Sequence, residues 1–196
     1  MTFQPLHNTQ PTRRIAPPEK ARYSLYKPEL RDDFSKKCGY CDTLDYYSGG
    51  VKGFHIDHFA PKKKFVALCN SYENLIYCCP ICNMGKSDDW PSDDANISYV
   101  GDIGYIDPCS PHYPSHLART SDGKIVALTE LGTYIHKRLK LSLKRRQLCW
   151  LIDKMESQLN QLNELIGDNC ENIEQLKIFK RLATEYIKYT GILKRE

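Results

Sequence analysis

Two Cys-x-x-Cys pairs, Cys38-Gly-Tyr-Cys41 and Cys79-Pro-Ile-Cys82, constrain this chain more than any other feature of its sequence. Two residues between cysteines permit a tight turn that aims both thiolates at one ion. Two such turns complete a tetrahedral four-sulfur zinc site. That site supplies folding free energy to a stretch of short, glycine-punctuated elements with little core of its own. Four protein ligands close the coordination sphere, so the expected zinc is structural. Buried cysteines without a ligand are the plainer account, and they leave two matched spacings unexplained. Cys78 adjoins Cys79, whereas Cys69, Cys109, Cys149 and Cys170 have no paired spacing and read as small apolar side chains. Nine cysteines form an odd set that suits a disulfide framework poorly and points to a reducing, cytoplasmic setting.

Between the pairs lie Phe54-His55-Ile56-Asp57-His58-Phe59-Ala60-Pro61 and Tyr72-Glu73-Asn74-Leu75, and the second pair runs into Asn83-Met84-Gly85-Lys86. Asp57 is a hard oxygen ligand suited to magnesium, and His58 titrates near neutrality and can serve as a base. Asn83 follows Cys82 directly, so the second knuckle fixes where its amide points. His55 would share a strand face with Asp57 and reads as a further ligand, a substrate contact or a strand-edge cap. Lys62, Lys63, Lys64 and Lys86 flank these residues and could meet phosphates or form a solvated loop.

The order Asp-His, Asn, then Cys-x-x-Cys-Asn-x-x-Lys resembles the HNH endonuclease family. The resemblance implies an α+β chain with a zinc-stabilised ββα-metal core and a mainly α-helical C-terminal region. It implies that Asp57 and Asn83 bind a catalytic divalent cation, that His58 activates the attacking water, and that Asn74 holds the loop orienting His58. Lys86, His55 and Lys63 would contact substrate. Asn83 stands where many members carry His, and an amide oxygen favours Mg2+ or Mn2+ over a softer ion. A longer, weaker likeness runs through Gly104-Tyr-Ile-Asp107-Pro108, His116-Leu117, Asp122-Gly123, Gly132 and Leu139 to Arg145. It is similar to the small HNH subunit of Septu-type anti-phage systems, which works beside an ATPase.

The expected organisation is an extended, Pro-rich arm over residues 1–20, a nuclease core with its following loops over 21–122, and helices over 123–196. A short helix should follow Pro28, with Leu30 and Phe34 on one face. Gly49, Gly50 and Gly53 mark a turn, and Phe54 to Phe59 reads as a strand. Residues 88–122 read as loop with a short strand near Tyr105 and Ile106. Leu131, Ile135, Leu139 and Leu143 recur at a helical interval, and Leu148, Ile152, Met155, Leu159, Leu162 and Ile166 form a heptad-like seam. A break at Gly167-Asp168-Asn169 and a new pattern, Ile173, Leu176, Phe179, Leu182 and Tyr186, predict an αα-hairpin.

The composition, 41% hydrophobic and 27% charged, suits a folded chain, and the net charge of +4 permits nucleic-acid binding without arguing for it. No apolar run suggests a membrane span or signal peptide. Lys137, Arg138, Lys140, Lys144, Arg145 and Arg146 could follow a nucleic-acid backbone or face solvent. His112 and His116 sit in a Pro-rich loop and are not read as ligands. The expected activity is phosphodiester hydrolysis, on DNA rather than RNA, in anti-phage defence. The contrasting reading is a non-catalytic zinc module that binds nucleic acid or a partner protein, which has no use for Asp57, His58 and Asn83 as a set. An ATPase subunit and self-association through the helical seam are the protein partners considered.

Overall fold

Chain direction changes every few residues through the first two thirds of the sequence, and long helices take over only at its end. In the computed structural model, which describes residues 3–167 and 172–195, the chain divides into two units, residues 1–142 and 143–196.

The first unit is built from short elements. Helix α1 (Lys27–Asp33) has Pro28 in its first turn, where the missing N–H has no helical partner to lose. Leu30 and the capping Phe34, one turn apart, are both buried, as the sequence pattern requires. A single turn, α2 (Gly50–Gly53), follows Gly49, whose φ of 83° suits the absent side chain. Strand β2 (His55–His58) pairs antiparallel with β3 (Leu75–Cys78), His58 opposite Leu75 and Asp57 opposite Ile76. All four β3 residues are buried. Helix α3 (Pro80–Lys86) starts directly after β3 and packs on β2. Gly85 matters there: a Cβ at this position would stand 2.5 Å from the Arg138 carbonyl oxygen.

The stretch read as loop carries more structure than its composition suggests. Strands β4 (Tyr99–Val100) and β5 (Ile103–Gly104) form a hairpin just before Tyr105, not around it. Strand β6 (Leu117–Arg119) pairs with β7 (Ile125–Ala127), and β1 (Gln4–Pro5) joins β6 on its other side. Strands of two or three residues are too short for a period of two to be visible in the sequence. The N-terminal arm is extended, yet it is held along its length. Beyond β1, Leu6 and His7 are buried. Arg13 donates to both carboxylate oxygens of Asp107 at 2.9 and 3.2 Å, and Arg14 pairs with Asp33.

Helix α4 (Glu130–Arg138) is capped by Thr129, whose Oγ1 accepts from Gly132 N at 3.0 Å. The regular spacing that ran on to Leu143 misleads here. The helix stops at Arg138, Lys140 adopts φ 52°, and Leu139 and Leu141 are buried from non-helical backbone. The region after Gly123 therefore opens with a strand and a short helix. The basic run is correspondingly divided between elements, with Arg138 paired to Asp89 at 2.9 Å and Arg146 buried.

In the second unit, α5 (Lys144–Ile166) and α6 (Ile173–Leu193) pack side by side as an αα-hairpin. Leu148, Ile152 and Met155 of the seam are buried, while Leu159, Leu162 and Ile166 are half-buried. Gly167, at φ 59°, ends α5. Asp168, Asn169 and Cys170 lie outside the described residues. Asn172 caps α6, accepting from Glu174 N and Gln175 N. Among the described residues no helix is long and apolar enough to cross a membrane.

The buried arm gives one testable pH dependence. Burial holds the His7 pKa down to about 4, against an ordinary value of 6.5. The unfolded chain therefore takes up this proton first as pH falls. The stabilising effect is complete above pH 6.5 and is lost between 6.5 and about 4. His7→Gln can still donate to Gly39. Between pH 7.5 and pH 5, wild type should lose about 2 kcal/mol more unfolding free energy than His7→Gln. Denaturant titrations of both proteins at the two pH values measure this, and equal losses would contradict it.

Candidate functional site

The first Cys-x-x-Cys turn follows α1 and the second bridges β3 and α3, so the two meet at one end of the β2–β3 pair. The sulfur atoms of Cys38, Cys41, Cys79 and Cys82 are buried and all lie within 4.8 Å of one another. Cys41 and Cys79 Sγ are 3.9 Å apart, and a tetrahedral zinc with Zn–S bonds of about 2.3 Å spaces its sulfurs by ~3.8 Å. The four thiols could hold one structural zinc. Burial pushes the Cys38 and Cys82 thiols well above their ordinary range, a penalty that a bound cation would offset. Cys78 is buried beside this cluster but outside it, with Sγ 4.0 Å from Asn83 Oδ1.

The first turn is gripped from outside. His7 Nε2 meets the Gly39 carbonyl at 2.6 Å, Tyr113 Oη donates to the Tyr40 carbonyl at 2.8 Å, and Arg119 donates to the Cys41 carbonyl at 2.8 Å. Gly39 N in turn donates to Tyr77 O at 2.9 Å. Nothing in the spacing of the cysteines signals these partners, which lie far away in sequence.

One cleft of about 630 Å³ opens beside the knuckles. His55, Asp57, His58, Lys63 and Asn83 line it, together with Tyr23, Lys27, Lys52 and Lys62. His55 is exposed and shares a 3.0 Å hydrogen bond with the Asn83 amide. His58 ends β2 with Nε2 2.9 Å from the Cys69 carbonyl oxygen and its ring edge-on to Tyr23. A carbonyl can only accept, so Nε2 carries the proton and Nδ1 keeps its lone pair. Burial lowers the His58 pKa, outweighing the carbonyl contact that raises it. Asp57 is buried but reaches the cleft, and Tyr40 Oη donates to its Oδ2 at 2.6 Å. Burial raises the Asp57 pKa, against the opposing pull of Lys86 and Tyr40.

Two of the expected site residues stand behind the cleft. Asn74 accepts from Ala60 N at 2.8 Å and donates to Ala60 O at 3.0 Å, clamping the segment just after His58. Lys86 is the larger departure, since a lysine read as meeting phosphate is fully buried. Its ammonium donates to His58 O at 3.0 Å and stands 3.5 Å from Asp57 Oδ2. It therefore does not offer a charge to solvent at all. Lys63 is exposed and paired with Asp88, and Lys62 donates to Tyr23 Oη at 2.8 Å. His112 and His116 lie at a separate, smaller cavity, where His116 Nδ1 meets Thr129 Oγ1 at 2.7 Å. Tyr23, Lys27, Lys52 and Tyr40 were not singled out by sequence, because isolated lysines and tyrosines carry no spacing signal.

Residues 38–89 match the family model described as HNH endonuclease. No curated protein and no solved structure shows a match. The matched segment contains both cysteine turns, β2, β3, α3 and the cleft residues His55, Asp57, His58, Lys63 and Asn83.

Proposed function

We propose that the first unit is a metal-dependent HNH endonuclease that hydrolyses phosphodiester bonds of nucleic acid, DNA rather than RNA. The observation that carries this reading is the convergence of Asp57, His58 and Asn83 on one lysine-lined cleft within the matched segment. A zinc module that only binds a partner has no need of a carboxylate, an imidazole base and an amide at a common opening.

Asp57 and Asn83 would hold Mg2+ or Mn2+ through oxygen atoms, the donor type these hard cations prefer. Such a cation supplies positive charge against the negative charge that develops on phosphate and leaving oxygen. His58 accepts a proton at Nδ1 from the attacking water, because Nε2 is committed to Cys69 O. Burial lowers its pKa and so favours the neutral imidazole, the form able to accept a proton. Asn74 holds Ala60 by two hydrogen bonds and so limits movement of the chain that carries His58. Lys27, Lys52, Lys62 and Lys63 favour a polyanion in the cleft.

The longer Septu-type likeness supports an anti-phage role beside an ATPase subunit, and coexpression with such a subunit tests it by copurification. The nuclease reading is tested with purified protein, plasmid, linear DNA and RNA, each with and without Mg2+ or Mn2+. Cleavage that needs the cation is expected, and no cleavage of any substrate under any of these conditions, partner included, would overturn it. Asp57→Ala should cut at least about 10-fold more slowly at low Mn2+ and recover partly as Mn2+ is raised, since a lost ligand weakens binding rather than chemistry. A rate deficit independent of Mn2+ concentration would remove Asp57 from the cation site.

A further inference from the structure

We infer that Tyr40 and Lys86 are positioning residues for the cleavage site, Tyr40 for the Asp57 carboxylate and Lys86 for the main chain of His58. The inference rests on the proposed roles of Asp57 and His58.

Tyr40 occupies the middle of the first cysteine turn, is fully buried, and places its hydroxyl 2.6 Å from Asp57 Oδ2. The turn beneath it cannot rotate freely. The carbonyls of Gly39, Tyr40 and Cys41 are bonded to His7, Tyr113 and Arg119, and two of its side chains belong to the four-thiol cluster. The Tyr40 ring therefore transmits a rigid frame to one carboxylate oxygen. That leaves Oδ1 as the oxygen not engaged by Tyr40 or Lys86, on a residue that lines the cleft. A hydrogen bond from a buried neighbour to a ligating carboxylate fixes its rotamer and is a common way of tuning a metal site.

Lys86 completes the arrangement from the opposite side. Full burial of an ammonium is costly unless it is paired and hydrogen-bonded. Here the group donates to His58 O at 3.0 Å, stands 3.5 Å from Asp57 Oδ2, and lies 5.5 and 5.9 Å from the ring centres of Tyr105 and Trp90. One cation thus spans the side chain of Asp57 and the backbone of the next residue, so the ligand and the base keep a fixed relation.

The two variants have different signatures. Tyr40→Phe keeps the ring and removes one donor. In the full chain loaded with zinc, Mn2+ binding followed by electron paramagnetic resonance should weaken by about 10–100-fold, and cleavage should recover as Mn2+ is raised. Lys86→Met removes a positive charge, so electrostatics alone would tighten Mn2+ binding. As a positioning residue, its loss should instead slow cleavage at saturating Mn2+ by at least about 10-fold with Mn2+ affinity undiminished. Zinc content should stay at wild-type levels and unfolding should stay cooperative in both, with a lowered midpoint for Lys86→Met because Asp57 loses a buried cation. Folded Tyr40→Phe with wild-type Mn2+ affinity, or Lys86→Met with wild-type turnover at saturation, overturns the corresponding half. If Tyr40→Phe does not fold, Lys86→Met still decides whether the buried network positions the site. Asp57→Asn with wild-type Mn2+ affinity would overturn the cation-site reading itself, and the positioning of Asp57 with it. Weak binding in Asp57→Asn alongside unchanged Tyr40→Phe overturns only the role of Tyr40.

Discussion

His58→Ala should slow cleavage by about 10²–10⁴-fold, the scale of a positioned proton transfer, while leaving zinc content, fold and nucleic-acid affinity close to wild type. The affinity should survive because positive charge in the cleft comes from Lys27, Lys52 and Lys62, with Lys63 paired to Asp88, and not from an imidazole whose charged form burial disfavours. The fold should survive because the His58 imidazole makes one hydrogen bond to Cys69 and one ring contact to Tyr23, and alanine keeps the main-chain bonds. Loss of that single bond costs on the order of 1 kcal/mol. Single-turnover cleavage beside a binding titration separates the two effects. A His58→Ala protein that cuts at the wild-type rate would remove the base from the mechanism.

The largest structural effect is expected from the knuckles. Cys38→Ser, or prolonged chelation of zinc, should unfold the first unit rather than merely silence it. Structural zinc contributes roughly 10–16 kcal/mol of apparent binding free energy, as much as the whole stability of an ordinary domain, about 5–15 kcal/mol. Without the ion, four buried sulfurs would meet in a site that raises the pKa of Cys38 and Cys82. Zinc analysis with circular dichroism before and after chelation measures the effect. Retained, cooperative folding in zinc-free protein would exclude a structural metal at these cysteines.

The sequence revealed the parts of this site that depend on spacing. Paired cysteines, the Asp57-His58 dipeptide and Asn83 immediately after Cys82 are local patterns, and the cluster and cleft use them directly. Helix α1 and the α5–α6 hairpin were legible for the same reason, since apolar residues repeat along them. The remaining features depend on contacts between distant segments. Lys86 sits at a helix end in a motif, and nothing local distinguishes a solvated lysine from one enclosed by Trp90, Tyr105 and Asp57. Tyr40 is equally silent, because its partner lies 17 residues away. Strand β1 exists only through β6, so no reading of Gln4-Pro5 alone could find it. The false continuation of α4 to Leu143 shows the opposite error. There, regular spacing persisted across a residue, Lys140, whose backbone had already left the helix.

The pairing of β1 with β6 sets a timetable for biosynthesis. Gln4 leaves the ribosome more than a hundred residues ahead of its partner Arg119. At roughly 5–20 residues per second, the arm waits for several seconds with Leu6 and His7 unburied. Over that interval both cysteine turns have already been synthesised and can recruit zinc. Metal capture can therefore precede closure of the β1–β6–β7 sheet, leaving sheet closure as a later, high-contact-order step. A nascent chain halted between these events would carry its metal yet lack the grip of Tyr113 and Arg119 on the first turn.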